Sequence, residues 1–214
     1  MRNRRRNFTL VELLVVIGII AVLAGMLMAG LMYAPAKAQK AKAQAEITTL
    51  VNAIKQFESA YGVLPMATTL TGDDALSTSN YKKLIHLLQA DAEGLSDDEE
   101  KALKKLNKRW TKFLDIQGND PGTFTDPWGE NYIVVLDSDY DGKITLSETD
   151  ASSCIQGVNV EKKSGKYTYR FSVIVWSKGH DRKSNSTPSN KQNEDNVYSF
   201  PTTWSSSNGH NISK

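Results

Sequence analysis

The stretch FTLVELLVVIGIIAVLAG, residues 8–25, decides how the rest of this chain is read. It is apolar throughout except for Thr9 and Glu12, and residues 13–33 add only apolar side chains, Gly, Ala and the Tyr33 hydroxyl. About 21 such residues in a helix rise roughly 31 Å, the thickness of a bilayer's hydrocarbon core. A carboxylate costs about 2.5–3.5 kcal/mol at the middle of a membrane and less near its interface. Glu12 therefore needs a reason. Arg2, Arg4, Arg5 and Arg6 precede the run with no acid among them, and Lys37, Lys40 and Lys42 follow it. Three readings are open. One is a secretory signal ending at the AKA of residues 36–38, for which the apolar run is too long and carries an acid. A second is a plain membrane anchor with Glu12 at the interface. The third is a helix in which Glu12 has work of its own.

The consecutive residues Phe8, Thr9, Leu10, Val11, Glu12, Leu13 and Leu14, behind a short basic leader, resemble the N-terminus of type IV pilins and type II secretion pseudopilins. The resemblance implies that a prepilin peptidase cuts between Asn7 and Phe8 and methylates the new amino group of Phe8. Asn7 stands where that family usually has Gly. It also implies that Glu12 is the assembly residue. A helix leaving the bilayer for a filament carries a cationic amine at its head, and a carboxylate on a neighbouring subunit can neutralise it.

Beyond Pro35, which is expected to kink a helix, AKAQKAKAQAEITTLVNAIKQFESAYG is rich in helix formers. Ile47, Leu50, Val51, Ile54 and Phe57 recur at helical spacing and form one apolar stripe, with Gly62 and Pro65 as stop signals. Residues 66–79 read as a loop. Residues 81–89 carry Leu84, Leu87 and Leu88 as a short helix. Ser96 and Glu99 have capping-box spacing ahead of a second helix, whose stripe of Leu103, Leu106, Trp110 and Phe113 runs toward Gly118. The run DDEEKALKKLNKR passes from acid to base, as a helix dipole prefers, and reads as a solvated face.

Residues 131–136 and 166–177 have strand character, with a short strand near 196–200. In the second, Tyr167, Tyr169, Phe171, Val173 and Val175 make one wholly apolar face. The Asp-Pro-Trp-Gly…Tyr pattern of residues 126–132 resembles the sheet entry of major pseudopilins. Asp137, Asp139, Asp141, Gly142, Ile144 and Glu148 fit D-x-D-x-D-G-x-I-x-x-x-E, the EF-hand spacing, with the Lys143 carbonyl as the backbone ligand. Calcium is the expected cofactor. The competing reading is a hairpin turned at Asp141 and Gly142, its acids merely solvated. The loop of residues 177–200 resembles the loop that holds calcium in major pseudopilins; by position Asp181 and Asp195 would be its ligands, with Glu194 a further candidate.

The net charge of +2 gives no global field for nucleic acid. One cysteine, Cys154, excludes an intramolecular disulfide. No G-x-S-x-G, H-E-x-x-H, Walker or C-x-x-C motif is present, and His86, His180 and His210 are scattered, so no enzyme is expected. The sum is an α+β chain in which a long N-terminal transmembrane and amphipathic helix packs on a small antiparallel sheet, in pilin-like fashion, with an inserted helical pair. Its expected segments are a leader at 1–7, an assembly helix at 8–34, an amphipathic continuation at 35–62, an insertion at 63–120, the sheet with its acidic loops at 121–200, and a fraying polar tail at 201–214. The resemblance implies a pseudopilus subunit of a type II secretion-like machine in the inner membrane, with its C-terminal domain outside the cytoplasm. The expected partners are further copies of itself, minor pseudopilins, the secretion machinery and prepilin peptidase. A type IV pilus subunit and a tethered calcium-binding domain that never polymerises are the alternatives.

Overall fold

The computed structural model describes residues 9–31, 34–66, 70, 72–73, 75–116, 121–147, 160–163, 166–185, 189–200, 202–205 and 209–212. The chain divides into two units, residues 1–39 and 40–214. The first holds helix α1, Leu10–Leu31, a 22-residue helix. Its large side chains over residues 10–26 are all between 49% and 81% exposed. The side-chain surroundings of residues 27–31 lie outside the described set, so the characterised part of α1 rises only about 25 Å. Among the described residues no helix is long and apolar enough to cross a membrane.

Helix α2 is assigned over Ala34–Tyr61. The junction at residues 32–33, where the expected kink would lie, is outside the described residues. Pro35 sits in the first turn of α2, where its missing N–H removes no intrahelical bond. In the second unit, Ala43, Ile47, Leu50, Ala53, Ile54 and Phe57 are buried along one face of α2, the stripe read from the sequence. Gly62, at φ +73°, ends the helix by donating its N–H to the Glu58 carbonyl at 2.7 Å.

Two helices follow, α3 (Thr78–Gln89) and α4 (Asp97–Leu106), each opened by a serine cap; α4 has the reciprocal capping box of Ser96 and Glu99. The expected stripe is corrected at its far end. The helix stops at Leu106, and Trp110 and Phe113 lie in irregular chain beyond it. Asn107 is wholly buried and turns the backbone: its amide donates to Leu87 O (3.1 Å) and Thr111 O (2.8 Å) and accepts from Thr111 N (2.9 Å) and Tyr61 Oη (2.6 Å). These four bonds are tertiary or local captures that helical propensity does not contain.

Strands β1 (Ile133–Leu136), β5 (Val173–Ser177) and β6 (Val197–Tyr198) form one antiparallel sheet, in the order β1-β5-β6. Strands β2 (Ile144–Ser147), β3 (Val160–Lys163) and β4 (Lys166–Tyr169) form a second, in the order β2-β4-β3. The single strand expected over 166–177 is therefore two strands in two sheets, separated at residues 170–172. The reason is burial on both sides. Val173 and Val175 face the core shared with α2 and α3, while Ile174 and Trp176 face a second core with Ile144, Leu146, Tyr167 and Tyr169. A central strand covered on both faces reads as a continuous apolar run, and one sheet could not cover both. Strands β7 (Thr202–Ser205) and β8 (Gly209–Ile212) pair antiparallel where a fraying tail was expected. Thr202, Thr203 and Trp204 have β propensity, which a composition reading of Ser and Asn hides.

Candidate functional site

Two places carry the chemistry singled out above. The first is the head of α1. Thr9 is its N-cap. The Glu12 carboxylate accepts from the Thr9 N–H (2.9 Å) and from Thr9 Oγ1 (2.8 Å), and the Glu12 N–H is 3.3 Å from Thr9 Oγ1. This is a capping box, T-x-x-E, and it answers why an acid can stand in an apolar helix: Glu12 satisfies orphan donors of its own first turn. The spacing was in plain view in the sequence, though read for something else. Both bonds fall on Oε2, so Oε1 stays without a hydrogen-bond partner among the described residues. Asn7 and Phe8 lie outside the described residues.

The second place is the loop between β1 and β2. These strands belong to different sheets, so the hairpin reading of Asp141 and Gly142 does not hold. Residues 137–143 cross between sheets. Asp137 is almost wholly buried; its two oxygens accept from the N–H groups of Asp141 (3.2 Å) and Gly142 (3.0 Å). Asp139 Oδ1 accepts from Asp141 N, and Asp141 Oδ1 from Lys143 N. Gly142, at φ +79°, makes the turn its place in the spacing demands. Glu148 lies outside the described residues.

The structure adds a residue that spacing could not supply. Asp73, 64 positions upstream of Asp137, brings a carboxylate oxygen within 4.8 Å of oxygens of Asp137 and Asp139. Its loop is pinned there by Thr145 N–H donating to Asp73 Oδ2 (2.9 Å) and Ser138 Oγ donating to Gly72 O (2.9 Å). Asp73 Oδ1 is buried with no hydrogen-bond partner among the described residues. Desolvation, and then the charges of Asp139 and Asp141, push the Asp73 carboxyl above the ordinary range. Asp137 is likewise pushed up, by desolvation first and by Asp139 and Asp141 after it. Calcium holds oxygens at about 2.3–2.6 Å, so oxygens around one ion lie no more than about 5 Å apart. The three acids meet that condition. Nothing in the sequence near Asp73 signalled it; only the fold brings the two loops together.

The alternative loop is built differently. Asp195 Oδ2 accepts from the Asp181 N–H (2.9 Å), and Asp181 Oδ1 accepts from the Lys183 N–H (2.7 Å). The buried Asn196 amide, oriented to satisfy its neighbours, donates to the carbonyls of Lys178 (2.8 Å) and Lys183 (3.2 Å) and accepts from Tyr198 Oη (3.1 Å). Buried Asn193 holds the Asn185 backbone at both ends. Amide groups thus hold the carbonyl oxygens of Lys178, Lys183 and Asn185 in this loop. Glu194 is exposed, and its carbonyl lies 3.5 Å from Lys40 Nζ.

The Asp-Pro-Trp-Gly segment forms a turn anchored on Asp126. Its Oδ1 accepts from Trp128 N (3.0 Å) and Glu130 N (2.9 Å), and buried Ser177 donates to Oδ2. This ties the sheet entry to the end of β5.

Searches of the curated proteins and of the solved structures find no match to this chain. Residues 2–28 match the family described as the prokaryotic N-terminal methylation motif, so the chain carries the type IV pilin-like prepilin signal at the head of α1.

Proposed function

We propose that this protein is the structural subunit of a type II secretion-like pseudopilus, cut and methylated by prepilin peptidase and polymerised through α1. The observation that carries the reading is the methylation motif over residues 2–28, joined to a helix whose apolar side chains are exposed on every side. Such a helix needs lipid or other helices around it, because roughly 25 cal/mol per Å² favours removing apolar area from water. In this reading α1 anchors the subunit in the inner membrane before assembly and lines the filament afterwards. The sheet-entry pattern of residues 126–132 favours a pseudopilus over a type IV pilus. Mass spectrometry of the protein from cells holding the cognate peptidase tests the first step. The expected mature chain begins at N-methylated Phe8 and lacks residues 1–7. An intact Met1 in assembled particles would overturn the reading.

Calcium belongs to the same proposal, with Asp73, Asp137, Asp139 and Asp141 as ligands from side chains and Lys143 from its carbonyl. Glu148 completes the spacing. The raised carboxyls set the sign of the test. A group whose folded pKa lies above its unfolded value, here 3.8, contributes stability below that value and loses it as pH rises through the folded one. At neutral pH the ionised cluster therefore opposes folding until a cation or a neutral side chain relieves it. Asp73→Asn keeps an acceptor for the Thr145 N–H and removes the charge. In EDTA it is expected to raise the melting temperature. With calcium added, its upward shift is expected to be less than about half that of the parent protein. Equal calcium shifts in both proteins would exclude the site.

A further inference from the structure

Two short turns in the globular unit are opposite in charge and alike in build. The first is Lys108-Arg109-Trp110. Trp110 holds φ +49°, a left-handed conformation that is uncommon for a bulky aromatic. The buried Asn107 amide fixes the turn from below, the Arg109 N–H donates to Tyr61 Oη (3.3 Å), and Lys104 Nζ lies 5.4 Å from the Trp110 ring centre. Lys108 and Arg109 are exposed, and neither meets a carboxylate among the described residues. Nearby Lys101, Lys104 and Lys112 are each paired, with Asp98, Glu100 and Asp115.

The second turn is Asp139-Tyr140-Asp141. Tyr140 also holds a left-handed conformation, φ +59°, and is 49% exposed. Its Oη accepts from the Leu64 N–H at 2.6 Å, which ties this turn to the residues just after α2, as Tyr61 ties the other to the end of α2. Asp139 and Asp141 are exposed and meet no cation among the described residues. Calcium in the loop leaves it acidic, since four carboxylates exceed two charges.

We propose that the basic turn of one copy docks on the acidic turn of a second copy of this chain. The argument is charge complementarity between surfaces that the fold holds ready. Each turn is already ordered, so little conformational freedom remains to be lost on contact. Lys108 and Arg109 form no ion pair with Asp139 or Asp141 inside one copy. Where such a contact joins two different patches without closing on itself, one of each stays open and the contact propagates into a chain of subunits. The inference rests on the polymer reading above and gives it a contact outside α1.

The test uses the full chain assembled in cells, sheared and pelleted, with the parent protein alongside. Lys108→Glu with Arg109→Glu, and separately Asp139→Lys with Asp141→Lys, are each expected to lower pelletable protein about tenfold. Together, the four changes are expected to recover it to within about twofold of the parent. Recovery separates an ion pair from lost calcium binding, which the combined variant would not regain. A second readout guards against a variant that fails to fold. Carbodiimide treatment of parent polymers grown from isotope-mixed subunits is expected to join Lys108 to Asp139 or Asp141 between copies. Polymers unaffected by either reversal, or the absence of that cross-link, overturn this contact alone. A parent protein that never pellets overturns the polymer reading with it.

Discussion

Glu12→Ala is expected to abolish assembly while leaving the protein in the membrane fraction. Two losses coincide at this residue. The first is local. The capping box of Thr9 and Glu12 loses its carboxylate half, which leaves the Thr9 N–H at the head of α1 without its acceptor. The second follows from the proposed function. A methylated ammonium at Phe8, brought among apolar helices, is left without the counter-ion that Glu12 Oε1 is free to provide. Removing one partner of a buried pair costs about 3–5 kcal/mol. That is about two to four orders of magnitude in an association constant. Polymer recovered by shearing and sedimentation should fall below detection. Thr9→Ala removes only the cap and is expected to leave polymer measurable. Normal yields from Glu12→Ala would remove the electrostatic account of assembly.

Gly122→Ala should be strongly destabilising to the globular unit. A Cβ there would lie 2.0 Å from His86 Nε2, 2.4 Å from Cδ2 and 2.7 Å from Cε1. The imidazole cannot step aside easily. It is wholly buried, its Nδ1 donates to the Asp91 carbonyl at 2.9 Å, and Nε2 has no hydrogen-bond partner among the described residues. Burial holds this histidine below its usual pKa, which favours the neutral ring that the packing requires. Gly122 also has φ +74°, where any side chain is strained. Overpacking costs about 1–3 kcal/mol and the left-handed backbone about 1–2. Together they should lower the melting temperature by about 5–15 °C. In a His86→Ala background the same change should cost only its backbone part. An equal cost in both backgrounds would mean that the collision is not what destabilises.

The acidic loop shows how far spacing alone reaches. Asp137, Asp139, Asp141 and Gly142 could be singled out because the spacing that suits calcium is written at fixed offsets along one segment. Asp73 could not, because nothing within its own neighbourhood of Gly, Asp and Ala distinguishes it from any solvated loop acid. Its meaning comes from Ser138 and Thr145, which pin its loop beside the others. The second acidic loop owes its form to contacts beyond spacing as well: Asp195 accepts from the Asp181 N–H, and Asn196 holds the carbonyls of Lys178 and Lys183.

What the sequence determined by itself was whatever depends on one segment and its solvent: the apolar run with Glu12, the stripe on α2, and the capping box of α4. Periodicity and capping are local, so neighbours in the chain suffice to state them. Only the tertiary structure decided where helix α4 stops, that residues 166–177 serve two sheets, and that Asp73 joins the acidic loop. Each of those depends on a partner far away in sequence, whether Leu87 for Asn107, the strands on either side of β5, or Ser138 for Gly72. A hydrogen bond or a buried face to a distant element can outweigh local preference, and local preference is all that a single segment records.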